Sequence, residues 1–222
     1  MPITKGLDKL VKYNNRSIKD LTTTPTAAGG GDTGALVHIK TLTASSSSTL
    51  SFVNGTDSVV LDDTYPIYKF EFINCHPSES SGGLTVAFRD GGSNFDATKT
   101  TTIFYTGHDE GDSATALSYV AGQDQAQATG AMRLTVGDDA NDDNDGSLSG
   151  TMMLFNPSST TFVKHFMSEV TFMGESSGNP STNTAYMAGY CNVTAAIDGV
   201  QIGTDSGNID SGKIKLYGIK DA

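Results

Sequence analysis

From Ala35 to Ile219 apolar and polar residues alternate, most clearly in Tyr68-Lys69-Phe70-Glu71-Phe72, Leu84-Thr85-Val86-Ala87-Phe88 and Met132-Arg133-Leu134-Thr135-Val136. An extended chain points successive side chains to opposite faces, so this period of two predicts strands with one buried and one wet face. The same pattern predicts strands at 36–43, 49–53, 58–61, 101–105, 148–155, 162–166, 170–172, 186–193, 200–202 and 213–219. Asn54-Gly55, Asp90-Gly91-Gly92, Asp145-Gly146, Asp198-Gly199 and Ser211-Gly212 fall between them and supply the turn chemistry of antiparallel hairpins. Residues 113–128, with Ala114, Ala116, Leu117, Val120 and Ala121, have helical composition and predict one or two helical turns. No strand-helix-strand period recurs, which argues against a parallel α/β sheet. The expected fold is all-β: an antiparallel β-sandwich, jelly-roll-like, which leaves few strand edges open.

The first 31 residues break this pattern. Lys5, Lys9, Lys12, Arg16 and Lys19 are opposed only by Asp8 and Asp20, a net +3 before Thr22 in a chain of −11, so the remainder carries −14. Leu7, Leu10, Val11, Ile18 and Leu21 are spaced as a short amphipathic helix would use them. A Thr/Pro/Gly run to Gly31 has the composition of a linker. The division expected is a basic anchoring arm with its linker, 1–31, and a β-sandwich domain, 32–222. Lys5, Leu7, Lys9, Leu10, Val11, Lys12, Arg16, Ile18, Lys19 and Leu21 are the candidate partner-binding residues.

Composition narrows the functions. Gly, Ser and Thr supply about a third of the 222 residues, and 36% are hydrophobic, enough for a core. The acidity argues against nucleic acid as a partner, because phosphate binding needs a cationic face. Neither a membrane span nor a signal-peptide apolar run is visible, so a membrane is not an expected partner. Cys75 and Cys191 are too few for a structural Cys₄ zinc site and are expected as buried thiols.

Candidate chemistry is sparse. Asp138, Asp139, Asp142, Asp143 and Asp145 crowd nine residues and form a weak calcium candidate, although Met152 stands where an EF-hand loop requires glutamate. The alternative is a solvated acidic turn that keeps strand edges apart. His38, His76, His108 and His165 lack metal-ligand spacing, and no metal or cofactor is expected. His108 among Asp109, Glu110 and Asp112 is the one cluster suited to acid-base work. Gly174-x-Ser-x-Gly178, Gly29-x-Gly-x-x-Gly34 and the run from Gly207 to Lys213 match catalytic or phosphate-loop templates by letter, but each lacks the flanking strand-to-helix order or the required hydroxyl. Tyr65, Tyr68, Tyr105, Tyr119, Tyr186 and Tyr190 offer rings for sugars or for the core, and the chain has no Trp. An enzyme is not expected.

Three stretches carry a family likeness: 68–77 (YKFEFINCHP), 154–166 (LFNPSSTTFVKHF) and 206–219 (SGNIDSGKIKLYGI). Together they resemble a family of virion structural proteins of tailed bacteriophages, many from marine hosts, over about 36–220. The resemblance implies a β-rich surface subunit of a virion, made in the bacterial host cytoplasm, with no catalytic site to carry over. The implied partners are other virion proteins, a major capsid or tail protein. Three roles follow as expectations: a capsid decoration or cement subunit, a tail or head fibre component touching a host surface glycan, and a free carbohydrate-binding or hydrolytic domain. A homotrimer is expected from the threefold environments of heads and fibres.

Overall fold

A computed structural model describes residues 35–80, 82–136, 141–176 and 178–221. Twelve strands follow in order: β1 (Leu36–Thr43), β2 (Thr49–Val53), β3 (Ile67–Pro77), β4 (Leu84–Arg89), β5 (Lys99–Asp109), β6 (Thr115–Tyr119), β7 (Met132–Arg133), β8 (Leu148–Phe155), β9 (Lys164–Ser176), β10 (Asn179–Cys191), β11 (Gly199–Thr204) and β12 (Ile209–Ile219). They form an eight-stranded sheet, β1-β12-β3-β8-β9-β10-β5-β6, and a four-stranded sheet, β2-β11-β4-β7.

Eight of these strands define the topology. Without β5, β6, β9 and β10, successive strands alternate between the sheets except at β4 and β7, which pair with each other in the small sheet, and β1, β2 and β3 pair with β12, β11 and β8. That is a two-stranded ribbon rolled on itself, the jelly roll, and the fold is an antiparallel β-sandwich of that kind. The hairpins β5–β6 and β9–β10 leave the ribbon after β4 and after β8, and both join the large sheet beyond β8. β9 pairs with β8 from Leu148↔Phe172 to Leu154↔Phe166, and β10 joins β9 to β5.

Inward positions of both sheets meet in one aromatic core. Phe52 of β2 sets its ring against Phe70 of β3 across the sandwich at 5.5 Å and 71°, and Phe88 of β4 lies 4.9 Å from Phe166 of β9. Tyr68, Phe72 and Phe172 are likewise buried. Each such ring contributes about 1.5–3 kcal/mol by leaving water. The Tyr68 hydroxyl donates to the Asp62 carbonyl at 3.1 Å, so its polar end is also satisfied.

Several sequence expectations are corrected. The helical turns expected within 113–128 are instead strand β6 and a 3-10 turn, Ala121–Gln123. β6 pairs with β5 from Phe104↔Tyr119 to His108↔Thr115, while Leu117 stays exposed, so the apolar face that a helix needs is never buried. Residues 58–61 form a loop: Gly55 N–H donates to the Val59 carbonyl, Leu61 N–H donates to Asn54 Oδ1, and Asp57 and Ser58 hold positive φ. The two short strands expected at 162–166 and 170–172 are one, β9. Beyond β7, Leu134, Thr135 and Val136 are all buried, which ends the alternation.

Gly150 marks the closest approach of backbones at the widened sheet. A β-carbon there would lie 2.6 Å from the Val170 Cα and closer still to the Glu169 carbonyl oxygen, atoms held by the β8–β9 ladder. Gly150→Ala is therefore expected to cost about 1–3 kcal/mol in denaturant unfolding. Gly122→Ala, where a β-carbon meets nothing within 4 Å, should change stability by less than about 0.5 kcal/mol.

Candidate functional site

The ten anchoring residues proposed from sequence, Lys5 to Leu21, lie outside the described residues. So do Asp138 and Asp139 of the acidic loop. The rest of that loop is held by short-range hydrogen bonds and one to β3: Asp143 N–H donates to Asn141 Oδ1 at 2.8 Å, and the Asp143 carbonyl accepts from Gly146 N–H at 2.7 Å and lies 3.0 Å from His76 Nε2. Among the described residues no three His, Cys, Asp or Glu converge as a metal-holding group, and Asp142, Asp143 and Asp145 are not brought together into one. No helix of the described residues is long and apolar enough to cross a membrane.

The remaining motifs resolve into structure. Gly174 and Ser176 lie in β9 and Gly178 at the β9–β10 turn with φ +81°, so the Gly-x-Ser-x-Gly run is a hairpin. Gly207 to Lys213 is the turn and opening of β12. His108 Nε2 lies 3.3 Å from Asp112 in an exposed pair. Its neighbour Asp109 is buried and accepts from Ser113 N–H (2.8 Å), Ser113 Oγ (2.5 Å), Ala114 N–H (2.7 Å) and Asn179 Nδ2 (3.5 Å). Those donors, the Ser113 hydroxyl first, hold its carboxyl at about 2, so it stays ionised and fixes the β5–β6 turn.

A buried polar row went unnoticed in the sequence. Lys99 of β5, Cys191 of β10 and Lys164 of β9 are cross-strand neighbours on the inner face, all fully buried. Lys99 Nζ donates to the carbonyls of Ala97 (3.2 Å) and Thr129 (3.3 Å), and Lys164 Nζ to that of Val193 (2.6 Å). The lysines thus satisfy loop carbonyls where the four-stranded sheet ends, and burial lowers both ammonium pKa values. The signal was parity: Lys99 is in phase with inward Ile103, and Lys164 with Phe166 and Val170. Cys75 and Cys191 are both free and buried, and burial pushes the thiols up to about 11 and about 12.

The outer face of β9, β10, β5 and β6 is different in kind. Cross-strand partners share a face, so the register places Tyr119, Phe104, Tyr186, Glu169 and Thr151 in one row and Ala188, Met167 and Met153 in the next. Phe104 and Tyr186 stack at 5.0 Å and 15°. The Tyr119 hydroxyl bonds the Asp124 carboxylate. Six large hydrophobics stand exposed among the described residues, and four belong to this face: Leu117 at 77%, Tyr119 at 59%, Met167 at 51% and Phe104 at 44%. Phe104 and Met167 line a depression of about 350 Å³ together with Tyr186, Met153 and Glu169. A second, of about 470 Å³, lies further along β5 and β10 and is hydroxyl-rich, with Ser149, Thr171 and Thr182 beside His108 and Glu110. Of the tyrosines considered as sugar platforms, Tyr68 is core, Tyr65 and Tyr105 pack against the core, Tyr190 lies on the outer face at its far end against His165, and Tyr119 and Tyr186 join the exposed apolar rows.

The chain matches no family model, no curated protein and no solved structure.

The ionisable groups set a pH window. The Asp109 carboxyl is held below its unfolded value, so its contribution is present above about pH 4 and is lost as pH falls toward 2. Asp109→Asn should flatten the acid limb of stability against pH and lower the thermal midpoint at pH 7. Cys75, Cys191 and, through burial, Tyr68 (to about 12) are raised, so their contribution is full below about pH 9 and is lost as pH rises through 11–12. At pH 8 both thiols of the folded protein should resist a disulfide reagent that titrates two thiols per chain in denaturant.

Proposed function

We propose that the chain is a structural subunit of a tailed-phage particle, a capsid decoration or cement protein that projects from the surface and is held by its N-terminal arm. The observation that carries this reading is the likeness of 68–77, 154–166 and 206–219 to virion structural proteins. The jelly roll is in keeping with it, since capsid and lectin domains use this architecture, although the fold alone fixes no role. The division of charge supports attachment through the arm: +3 in the first 21 residues against −14 in the rest favours encounter with an acidic partner surface, and the five aliphatics supply apolar area for docking.

The energetics call for several arms. Five aliphatic side chains gain about 7–15 kcal/mol on burial, against about 1–2 kcal/mol for each of some twenty residues ordered. One arm alone binds weakly by that balance, and several arms on one oligomer attach by avidity. The proposed setting is the virion, assembled in the bacterial cytoplasm, where both thiols stay reduced.

A second reading, a head or tail fibre component touching a host glycan, draws on the depression beside Thr171, Thr182 and Glu110, whose hydroxyls and carboxylate suit sugar hydroxyls. Copy number separates the two: hundreds per particle for decoration, a dozen or fewer for a fibre. Removing residues 1–31 is expected to leave a folded domain that no longer binds particles stripped of the subunit. A truncated protein that still decorates them would overturn anchoring by the arm.

A further inference from the structure

Among the described residues, none covers the apolar outer face of the widened sheet. We propose that the outer face of β9-β10-β5-β6, centred on Phe104, Tyr186 and Met167, packs against the same face of a second copy of this chain.

Leu117, Tyr119, Met167 and Phe104, at the exposures given above, present on the order of 500 Å² of side chain, near the upper end for the largest apolar patch of a typical monomer. Half-buried Tyr186 and Met153 and the neighbouring threonines extend it. Four strands about 4.8 Å apart and about six residues at about 3.4 Å span roughly 19 by 20 Å, about 380 Å² in projection, and with the accessible area of the protruding side chains this suits a small interface, at the weaker end of specific pairs (below about 1,200 Å² in total).

Aromatic residues and Met dominate the face, as in interface centres, where Lys is depleted. In these four strands the only Lys or Arg residues are Lys99 and Lys164, and both are buried on the other side. Glu169 is the one carboxylate in the two central rows. A strongly charged partner finds little to pair with here. A sugar finds Phe104 and Tyr186 stacked on each other and the Tyr119 hydroxyl already bonded to Asp124. A second copy brings an equally flat, equally apolar surface, and two such sheets pack at about 10 Å.

Symmetry then fixes the arrangement. One patch that covers itself is isologous, so the contact is a two-fold pair and not the threefold association favoured by the sequence alone. An axis along the β10–β5 seam sets β9 of each copy over β6 of the other. Each Glu169 then faces the Tyr119 and Leu117 side of its partner and not its own mate.

The inference is independent of the particle role and is tested without particles. Sedimentation equilibrium of the full chain from 1 to 100 µM should give a dimer, several-fold tighter in 0.5 M than in 0.05 M NaCl, because salt screens repulsion between two acidic chains. Leu117→Glu with Met167→Glu, both at outward positions, should keep the circular dichroism spectrum and weaken the dimer at least tenfold. Phe162→Glu, exposed but off this face, should leave it intact. A wild-type chain that is monomeric at 100 µM in 0.5 M NaCl overturns the proposal, as does a dimer unaffected by the double substitution. Association that weakens as salt rises also overturns it, since that is the behaviour of a basic segment on an acidic surface.

Discussion

The backbone ladder between β8 and β9 is the constraint on which the rest of this molecule turns. In the rolled ribbon alone, β8 would end its sheet with a row of unpaired N–H and C=O groups. Pairing with β9 satisfies that row and moves the open edge four strands outward, to the five residues of β6. The large sheet thereby becomes twice as wide as the one it packs against. Every unusual feature of the domain lies on one side or the other of this overhang.

On the inner side, rings suffice only as far as the small sheet reaches: Phe88 still meets Phe166 of β9. Beyond it the cover is irregular chain, and irregular chain brings carbonyls that have no ladder to join. Lys99 and Lys164 reach those carbonyls at Ala97, Thr129 and Val193, and Asp109 does the equivalent for the donors of the β5–β6 turn. Burying an ammonium is costly without such partners, so these residues serve as local substitutes for strand pairing. The two free thiols need no such help, because burial keeps them protonated.

The legible part of the fold was the part written in alternation. Strands at 36–43, 49–53 and 148–155 have the bounds that periodicity predicts; the last two each have one face in the core, and in the first Ile39 and Leu42 pack against it. Alternation misleads at 134–136 and at β6. Residues 134–136 are buried at three consecutive positions and are not a strand, while β6 is exposed almost throughout, so its Ala and Leu imitated a helix. Strand existence was readable; pairing was not, because nothing local in β5 says that its partner is β10. That hid the candidate site too. Phe104, Tyr119, Tyr186 and Met167 are unremarkable one at a time and become a surface only through the register of four strands.

The β10–β5 seam also has a consequence for the order of events during synthesis. Its partners are far apart in the chain, Ser181 with Asp109 and Cys191 with Lys99, whereas β9–β10 and β5–β6 are local hairpins. Each hairpin can close soon after it leaves the ribosome, but β5 must wait for β10 with one edge and both faces uncovered. Non-local pairing of this kind is slow and leaves intermediates open to misassociation. The threonines and the two charged lysines along β5 and β9 keep those waiting strands more soluble than purely apolar ones would be, so the buried row that later anchors the loops first protects the chain while it is unfinished.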